Sequence, residues 1–246
     1  MITPMFALFK KEMNSFFNSL VGYLAIIVFL ILIGLFTWVF PDTSVLEYGF
    51  ADMGTLFSMG PYVFLFLIPA ITMKSFAEEK RTGTLEWLLT KPIKESQVIF
   101  AKYAAAVGLL FISLVPTFVY YISLYQLGNP TGNIDTAGVI GSYIGLFLLG
   151  AVFTSIGIFS STLTESQIVA FILSAFLCFF LYEGLGYIAM MNVFSSYAYL
   201  INPIGISYHY NAMSKGLIHS NDLIYFLSVI ALMFSFTQLR LSSRKW

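Results

Sequence analysis

Long apolar runs separated by short polar connections dominate the chain. A bilayer core of about 30 Å needs about 20 helical residues, and six runs reach or approach that length. They cover residues 20–40, 56–73, 98–127, 139–163, 168–187 and 223–239. We therefore expect an all-α integral membrane protein with six transmembrane helices, forming one transmembrane domain over residues 1–246.

Two stretches outside these runs have mixed apolar and polar patterns. Residues 1–18 place Leu8 and Phe16 on one helical face and lysines on the other, which is typical of an interfacial helix. The alternative is that these residues extend the first span as one continuous helix on its cytoplasmic side. Residues 190–222 are rich in tyrosine, which favours the membrane surface. We expect short re-entrant helices on the outer side there, with an irregular loop as the alternative.

Composition and charge place the protein in a membrane with a defined orientation. Hydrophobic residues make up 59% and charged residues only 10%, whereas soluble domains have about 25% charged residues. The net charge is zero, which argues against a nucleic-acid partner. All Lys and Arg residues except Lys215 lie on one side of the predicted spans. By the positive-inside rule, we expect that side, with both termini, to be cytoplasmic. We expect a multi-pass protein of the bacterial inner membrane. The Lys and Arg residues on the cytoplasmic side are Lys10, Lys11, Lys74, Lys80, Arg81, Lys91, Lys94, Lys102, Arg240, Arg244 and Lys245.

The connection at residues 76–97 combines both charge signs with apolar residues. Its pattern predicts a short helix with Thr82 or Thr84 as N-cap, and a second helix that starts at Lys91-Pro92. One interpretation is a docking helix whose leucines and tryptophan fit a groove on a partner. The other is a surface loop whose leucines pack on the protein's own spans. Composition alone does not choose between them.

A family resemblance appears at these residues. The pattern resembles the signature of the ABC type-2 transporter permeases, and the order of six spans matches along nearly the whole chain. Its positions are Glu78, Arg81, Gly83, Thr84, Leu85, Glu86, Leu88, Leu89 and Pro92.

The resemblance implies that the connection is a coupling helix, which seats in a separate ATP-binding cassette subunit. Glu78 and Arg81 would frame this helix, and Gly83 would permit its sharp entry. The inserting residues would be Leu85, Leu88 and Leu89. Further implied partners are membrane lipid and either a second permease copy or an auxiliary membrane subunit. Within the family, the chain most resembles permeases associated with gliding motility and secretion. Permeases for copper or sodium handling have the same general arrangement and are the alternative.

The sequence offers little catalytic chemistry. No G-x-x-x-x-G-K-[ST] motif occurs, so we expect no ATPase activity, no enzyme activity and no cofactor in this chain. Cys178 has no partner cysteine. His209 and His219 lie near several methionines, which are copper-binding residue types, but their spacing fits no known site. We expect no catalytic residues and no metal site.

Glu183 is the one acidic residue within the predicted spans. An ionisable group there is costly and suggests a functional site. Either it lines an outer vestibule, or it reaches the headgroups because Gly184 and Gly186 mark the end of the helix. A single carboxylate is a poor basis for an ion-coupled transporter, which needs several. A membrane assembly scaffold remains a further alternative.

Overall fold

The structure is a computed structural model that describes residues 4–243, except for the side chains of Tyr48, Leu89 and Ser195. Within that range the regular structure is helical throughout, and six helical segments are long and apolar enough to cross a membrane. This confirms the all-helical architecture with six candidate spans. Numbered one to six, they are Leu20–Trp38, Gly54–Arg81, Glu95–Leu127, Thr136–Leu163, Gln167–Met190 and Ser220–Ser242. Arg244 and Lys245 lie outside the described residues.

Three of these spans are composite. Span two joins Gly54–Thr72 to Lys74–Arg81, so its helix continues well beyond the apolar run that ends near residue 73. Span three is interrupted at Pro116 by the 3-10 turn Val115–Thr117, because proline lacks an amide hydrogen for the α-helical ladder. Span five contains a π-helical turn, and its pieces are Gln167–Phe179, Phe180–Gly184 and Leu185–Met190.

The remaining helices are short and lie outside the spans. Pro4–Phe17 forms a separate N-terminal helix, at the position predicted for the interfacial helix. The 190–222 segment contains short helices, as the sequence indicated, and their depth in a membrane stays a prediction. The short elements after the N-terminal helix are Val45–Tyr48, Thr84–Leu89, Ser195–Tyr197, Ala198–Ile201, Asn202–Ile204 and Ile206–Met213.

Span four forms the centre of the bundle and packs against spans two, three, five and six. Glycines on its surface permit close approach of the 206–216 segment. A Cβ at Gly145 would lie 2.7 Å from the Met213 Cβ, and one at Gly141 would lie 2.7 Å from the Gly216 carbonyl oxygen. Such small residues are the usual contact residues between membrane helices. Span four therefore holds the 206–216 segment on the bundle.

The two ends of the bundle differ in what they carry. One end, termed the basic end, has the N-terminal helix, residues 82–94, the turn at 164–166 and the end of span six. A separate hydrophobic cluster lies there, in which Leu8, Phe76 and Leu85 pack against Val98 and Ile99. This cluster joins the N-terminal helix and the 82–94 segment to spans two and three.

Candidate functional site

A sharp reversal at Gly83 defines the start of the 82–94 hairpin at the basic end. Gly83 has a φ of +70°, a left-handed conformation that disfavours other residues. The preceding helix ends as the Thr82 amide donates to the Glu78 carbonyl at 3.0 Å. The prediction that Thr82 or Thr84 caps the short helix is wrong. Gly83 occupies the N-cap position, and the two threonine hydroxyls lie 2.9 Å from each other.

The return from the hairpin also differs from the prediction. The next helix begins at Glu95, so Pro92 lies in the connection before it and not in its first turn. The Gln97 side-chain oxygen accepts from the Lys94 backbone amide at 3.1 Å, which satisfies one free amide at this later helix start. Residues 90–94 therefore form a non-helical return from the short helix to span three.

The short helix Thr84–Leu89 presents two different faces. Leu85 is 1% exposed and packs in the basic-end cluster, and Leu88 packs against it partly buried. Trp87 is 67% exposed, and the Lys91 ammonium lies 4.1 Å from its ring centroid. Leu85 therefore holds the hairpin on the protein's own spans and cannot be an inserting residue in this conformation. The outer face is formed by Trp87 and its polar neighbours.

The other predicted residues surround this helix. Glu78 is partly buried in span two and lines a polar cavity beside the N-terminal helix. The side chain of Leu89 is outside the described part of the structure. The exposed members of the motif are Arg81, Gly83, Thr84, Glu86 and Pro92.

A buried ion cluster lies beneath the hairpin, and the sequence analysis missed it. The Lys102 ammonium lies 2.8 Å from Glu79 Oε1 and 3.2 Å from Glu12 Oε1, with only 2% of the lysine side chain exposed. We term these three residues the Lys102 junction. It joins the N-terminal helix, span two and span three. The available signal was a lysine at the start of an apolar run, because an ionisable residue within a span indicates a functional site.

The surroundings of the junction are polar. A cavity of about 380 Å³ adjoins it, lined by both carboxylates of the junction and by Lys11 and Lys74. Glu79 Oε2 is buried and has no hydrogen-bond partner among the described atoms. Beside the junction, the Lys80 ammonium donates to the carbonyl of Thr162 at the end of span four. The base of the hairpin is thus tied to spans two, three and four.

Glu183 lies in the π-helical turn of span five. The Tyr62 hydroxyl of span two donates to Glu183 Oε1 at 3.0 Å. Both Gly184 and Gly186 remain helical, and the span continues to Met190. The expectation that these glycines end the helix is therefore wrong, because glycine is tolerated within a packed membrane helix.

A second polar cluster lies at the opposite end of the bundle. His209 Nδ1 is 2.7 Å from Asp222 Oδ1, and its Nε2 is 2.9 Å from the Pro203 carbonyl oxygen. The ring stacks on Tyr225 with centroids 3.9 Å apart. We term these four residues the His209 cluster. Each ring nitrogen therefore lies within hydrogen-bond distance of an oxygen atom of the protein. Among the described residues, no group of three metal-ligand side chains is assembled.

Tyr210, the next residue, fastens the same helix to span two. Its hydroxyl donates to the Phe57 carbonyl oxygen at 2.6 Å. Burial raises the pKa of Tyr210 well above its usual value, with a smaller contribution from Tyr182. The phenol therefore stays protonated as a donor at ordinary pH.

Comparison with known protein families gives a match over almost the whole chain. The model of the family described as "ABC-2 family transporter protein" matches residues 6–243. The matched region contains all six candidate spans, the 82–94 hairpin and the Lys102 junction. No match was found among the curated proteins.

Proposed function

Because the chain belongs to the ABC-2 transporter family, we propose that its 82–94 hairpin couples ATP hydrolysis in a partner to movement of the spans. The family assigns the chain as a membrane component of an ABC transporter, whose ATPase lies in a separate subunit. In this proposal, ATP is bound by an ATP-binding cassette subunit that docks on Thr84–Leu89. Docking is the function that the hairpin geometry supports best.

The observation that carries this proposal is the exposed face of the short helix. Trp87 projects from a helix whose other face is anchored by Leu85, and charged residues border the ring. An exposed tryptophan with a polar rim is typical of a binding hot spot. The proposal assigns Leu85 a different role from the inserting one implied by the resemblance, because its side chain is 1% exposed. Leu85 positions the helix, and Trp87 with Glu86 contacts the partner.

The contacts at the base of the hairpin support a mechanical role. A push on the short helix passes through Leu85 into the basic-end cluster. It also reaches the Lys102 junction, which connects the N-terminal helix to spans two and three. The hydrogen bond from Lys80 to the Thr162 carbonyl oxygen transmits this force to span four. Closure of two ATP-binding subunits would in this way move several helices together.

The charge distribution supports the orientation that docking requires. Of the Lys and Arg in residues 4–243, Lys215 lies at the opposite end and the others lie at the basic end. Under the positive-inside rule, this distribution supports a cytoplasmic hairpin and cytoplasmic termini. A bacterial inner membrane is the location that we propose. An ATP-binding subunit would find its substrate on that side.

A second membrane subunit completes the proposed transporter, either another copy of this chain or an auxiliary membrane protein. Spans one, five and six are largely uncovered in the single chain, which leaves surface for such a subunit. Glu183 would line the outer vestibule. We assign the transporter to gliding motility or secretion on the sequence resemblance, with copper or sodium handling as the alternative. An adjacent gene cluster of either kind would distinguish them.

The test is binding of the ATP-binding subunit by the full chain in detergent or nanodiscs. Trp87→Ala should weaken binding by about 30-fold, since a hot-spot residue contributes about 2 kcal/mol. Stimulation of ATP hydrolysis should fall in parallel. The matched control is Phe50→Ala, which removes an aromatic ring that is 77% exposed at the opposite end. Equal binding by both variants would contradict the docking role. Binding without any stimulation of hydrolysis would favour the scaffold alternative.

A further inference from the structure

The His209 cluster contains more hydrogen-bond acceptors than a neutral imidazole can serve. His209 Nδ1 lies 2.7 Å from Asp222 Oδ1, and its Nε2 lies 2.9 Å from the Pro203 carbonyl oxygen. A neutral imidazole has one N–H group, whereas the protonated ring has two. The carbonyl oxygen carries no hydrogen, so Nε2 must be the donor in that contact. A second proton is then needed between Nδ1 and the carboxylate.

Two positions are available to this second proton, and both give the same proton count. Either Nδ1 carries it, as an imidazolium beside a carboxylate, or the carboxyl group of Asp222 carries it and donates to Nδ1. A proton shared by two interacting groups belongs to the pair. In both forms the cluster holds one proton more than a neutral histidine beside a carboxylate. The 2.7 Å separation is typical of a charge-assisted hydrogen bond.

The surroundings of Asp222 also favour a bound proton. Its side chain is only 9% exposed, and its Oδ2 is buried with no hydrogen-bond partner among the described atoms. Within the described part of the chain, its ion-pair partner is His209, and no Lys or Arg pairs with it. Burying a carboxylate without an opposite charge is costly. The shared proton supplies the compensation that Asp222 needs.

The other titratable groups that face the imidazole are phenols. Tyr225 of span six stacks on the ring with centroids 3.9 Å apart, and Tyr208 of the same helix lies edge-on at 5.2 Å. Phenols keep their protons throughout the pH range in which histidine titrates. The state of the ring therefore depends on Asp222. Further titratable side chains on the facing parts of the elements packed against this helix contact other residues, and they are Tyr143 on span four and Tyr182 and Glu183 in the π-helical turn.

Loss of the shared proton would break the contact with Pro203. The one N–H group left stays on Nδ1, because a hydrogen bond to a charged carboxylate is roughly twice as strong as one between neutral groups. Nε2 then presents a lone pair to the Pro203 carbonyl oxygen, and two acceptors repel each other. The Asn202–Ile204 turn would then be held by Tyr225, whose hydroxyl donates to the Ile204 carbonyl oxygen.

We propose that the His209 cluster is a proton-binding latch at the outer end of the bundle. With the proton bound, it fastens both Ile206–Met213 and the Asn202–Ile204 turn to span six. Without the proton, the turn and the short helix Ala198–Ile201 before it come loose, while Ile206–Met213 stays attached through Asp222. The latch does not involve the docking hairpin, so the proposal holds whether or not an ATP-binding subunit binds.

The direction of the pH dependence follows from the proton count. An unfolded chain releases the histidine proton above about pH 6.5, whereas the folded cluster retains it. Above that pH, folding therefore takes up a proton, and the stability that the latch contributes decreases as the pH rises. Acidic conditions on the outer side close the latch, and alkaline conditions open it.

The experiment observes the ring nitrogens of both histidines by NMR in the full chain, in nanodiscs and without nucleotide or partner. The chain has two histidines, so nitrogen-15 labelling of histidine gives two sets of signals, which His219→Gln assigns. His219 is exposed and serves as the internal reference. We expect His209 to bind its second ring proton at least about tenfold more tightly than His219, which is about one pH unit. Asp222→Asn keeps the shape of the side chain without its charge and should abolish this difference.

A spin label shows whether the proton holds the segment. Tyr199→Cys places the label at an exposed position of Ala198–Ile201, and Phe50→Cys places it on another outer loop as the matched control. Native Cys178 is fully buried, so the label is directed to the introduced cysteine. The label at 199 should become more mobile as His209 loses its proton, and the label at 50 should not change. His209→Phe retains a stacked ring without nitrogen donors and should make the label at 199 mobile at every pH.

Two results would overturn the proposal. One is loss of the second ring proton from His209 and His219 at the same pH in the wild-type chain, which needs no variant to fold. The other is equal mobility of the label at 199 before and after His209 loses its proton. Equally tight proton binding by His209 in a folded Asp222→Asn chain would likewise contradict a shared proton. Because the assay contains no ATP-binding subunit, failure here is distinct from failure of the docking function.

Discussion

Two buried polar contacts fasten segments outside the spans to the bundle, one at each end. The Lys102 junction joins positions 12, 79 and 102, which belong to three helices. The His209 cluster is more local, since His209 and Asp222 are 13 residues apart in the chain. The first contact adjoins a polar cavity, whereas the second is covered by a stacked aromatic ring.

This difference indicates different mechanical roles. A charged contact shared by three helices makes them move together, which suits the end that receives force from a partner. A contact between neighbouring segments fixes one short helix on one span and leaves the rest of the bundle unaffected. We therefore expect changes at the Lys102 junction to act on the whole basic end, and changes at the His209 cluster to stay local.

The largest expected effect is that of Lys102→Met. Removing the lysine leaves Glu12 and Glu79 without their buried counter-charge, since the remaining cation, Lys11 at 3.5 and 3.8 Å, is exposed to solvent. Breaking a buried ion pair in this way costs about 3–5 kcal/mol. We expect the free energy of unfolding to fall by that amount, measured by denaturant titration in mixed micelles. Hydrogen exchange should increase in both the N-terminal helix and the hairpin.

The matched control for this prediction is Lys94→Met, an exposed lysine in the same connection. It should change the free energy of unfolding by less than about 0.5 kcal/mol. The triple variant Lys102→Met, Glu12→Gln, Glu79→Gln should recover most of the loss, since neutral replacements remove the unpaired charges. Equal stability of the Lys102 and Lys94 variants would refute the role of the junction.

The second prediction concerns the opposite end. His209→Ala leaves the Asp222 carboxylate buried without its partner, and we expect a loss of about 2 kcal/mol in the free energy of unfolding. Hydrogen exchange should increase in Ile206–Met213 and at the start of span six, but not in the hairpin. His219→Ala is the matched control, because His219 is exposed.

The spatial pattern of exchange is the decisive measurement for the comparison. If His209→Ala also increased exchange in Thr84–Leu89, the two ends would be coupled, and the contrast between them would be wrong. If Lys102→Met increased exchange only near residue 102, the basic end would not move as one unit. Either pattern would remove the mechanical interpretation while leaving the family assignment intact.

The sequence predicted the spans well because the length of an apolar run is a local property. It placed helix ends less well, since charged residues such as those of Lys74–Arg81 can continue a helix once it has begun. Gly184 and Gly186, which follow Glu183, also looked like the end of a helix. In the folded chain, packing against neighbouring helices keeps both glycines helical.

The site was predicted only in part, because the missing information is three-dimensional. The motif located the hairpin and the residue at its sharp turn, Gly83. It did not show that Leu85 faces inward and Trp87 outward, since a six-residue helix has too few positions to define its buried face. The Lys102 junction joins Glu12 to a residue 90 positions later, and no local pattern reports such a contact.

The last prediction concerns Gly83→Ala, and it tests whether the hairpin moves as a rigid body. A Cβ at Gly83 would meet no atom within 4 Å, but its φ of +70° is unfavourable for alanine. Gly83→Ala should therefore cost about 1 kcal/mol through backbone strain alone. Gly186→Ala is a closely matched control, since a Cβ there also meets nothing within 4 Å, while the residue is helical. It should be neutral or stabilise by up to about 1 kcal/mol.

Stimulation of the partner's ATP hydrolysis distinguishes a rigid hairpin from a flexible one. If the hairpin transmits force as one body, a Gly83→Ala chain relieves its strain by tilting Thr84–Leu89. Stimulation should then fall more than the modest loss of stability accounts for, while Gly186→Ala keeps it unchanged. If stimulation instead survives in Gly83→Ala, the hairpin is a flexible tether. Force would then have to enter the bundle elsewhere, and the Lys102 junction would serve stability alone.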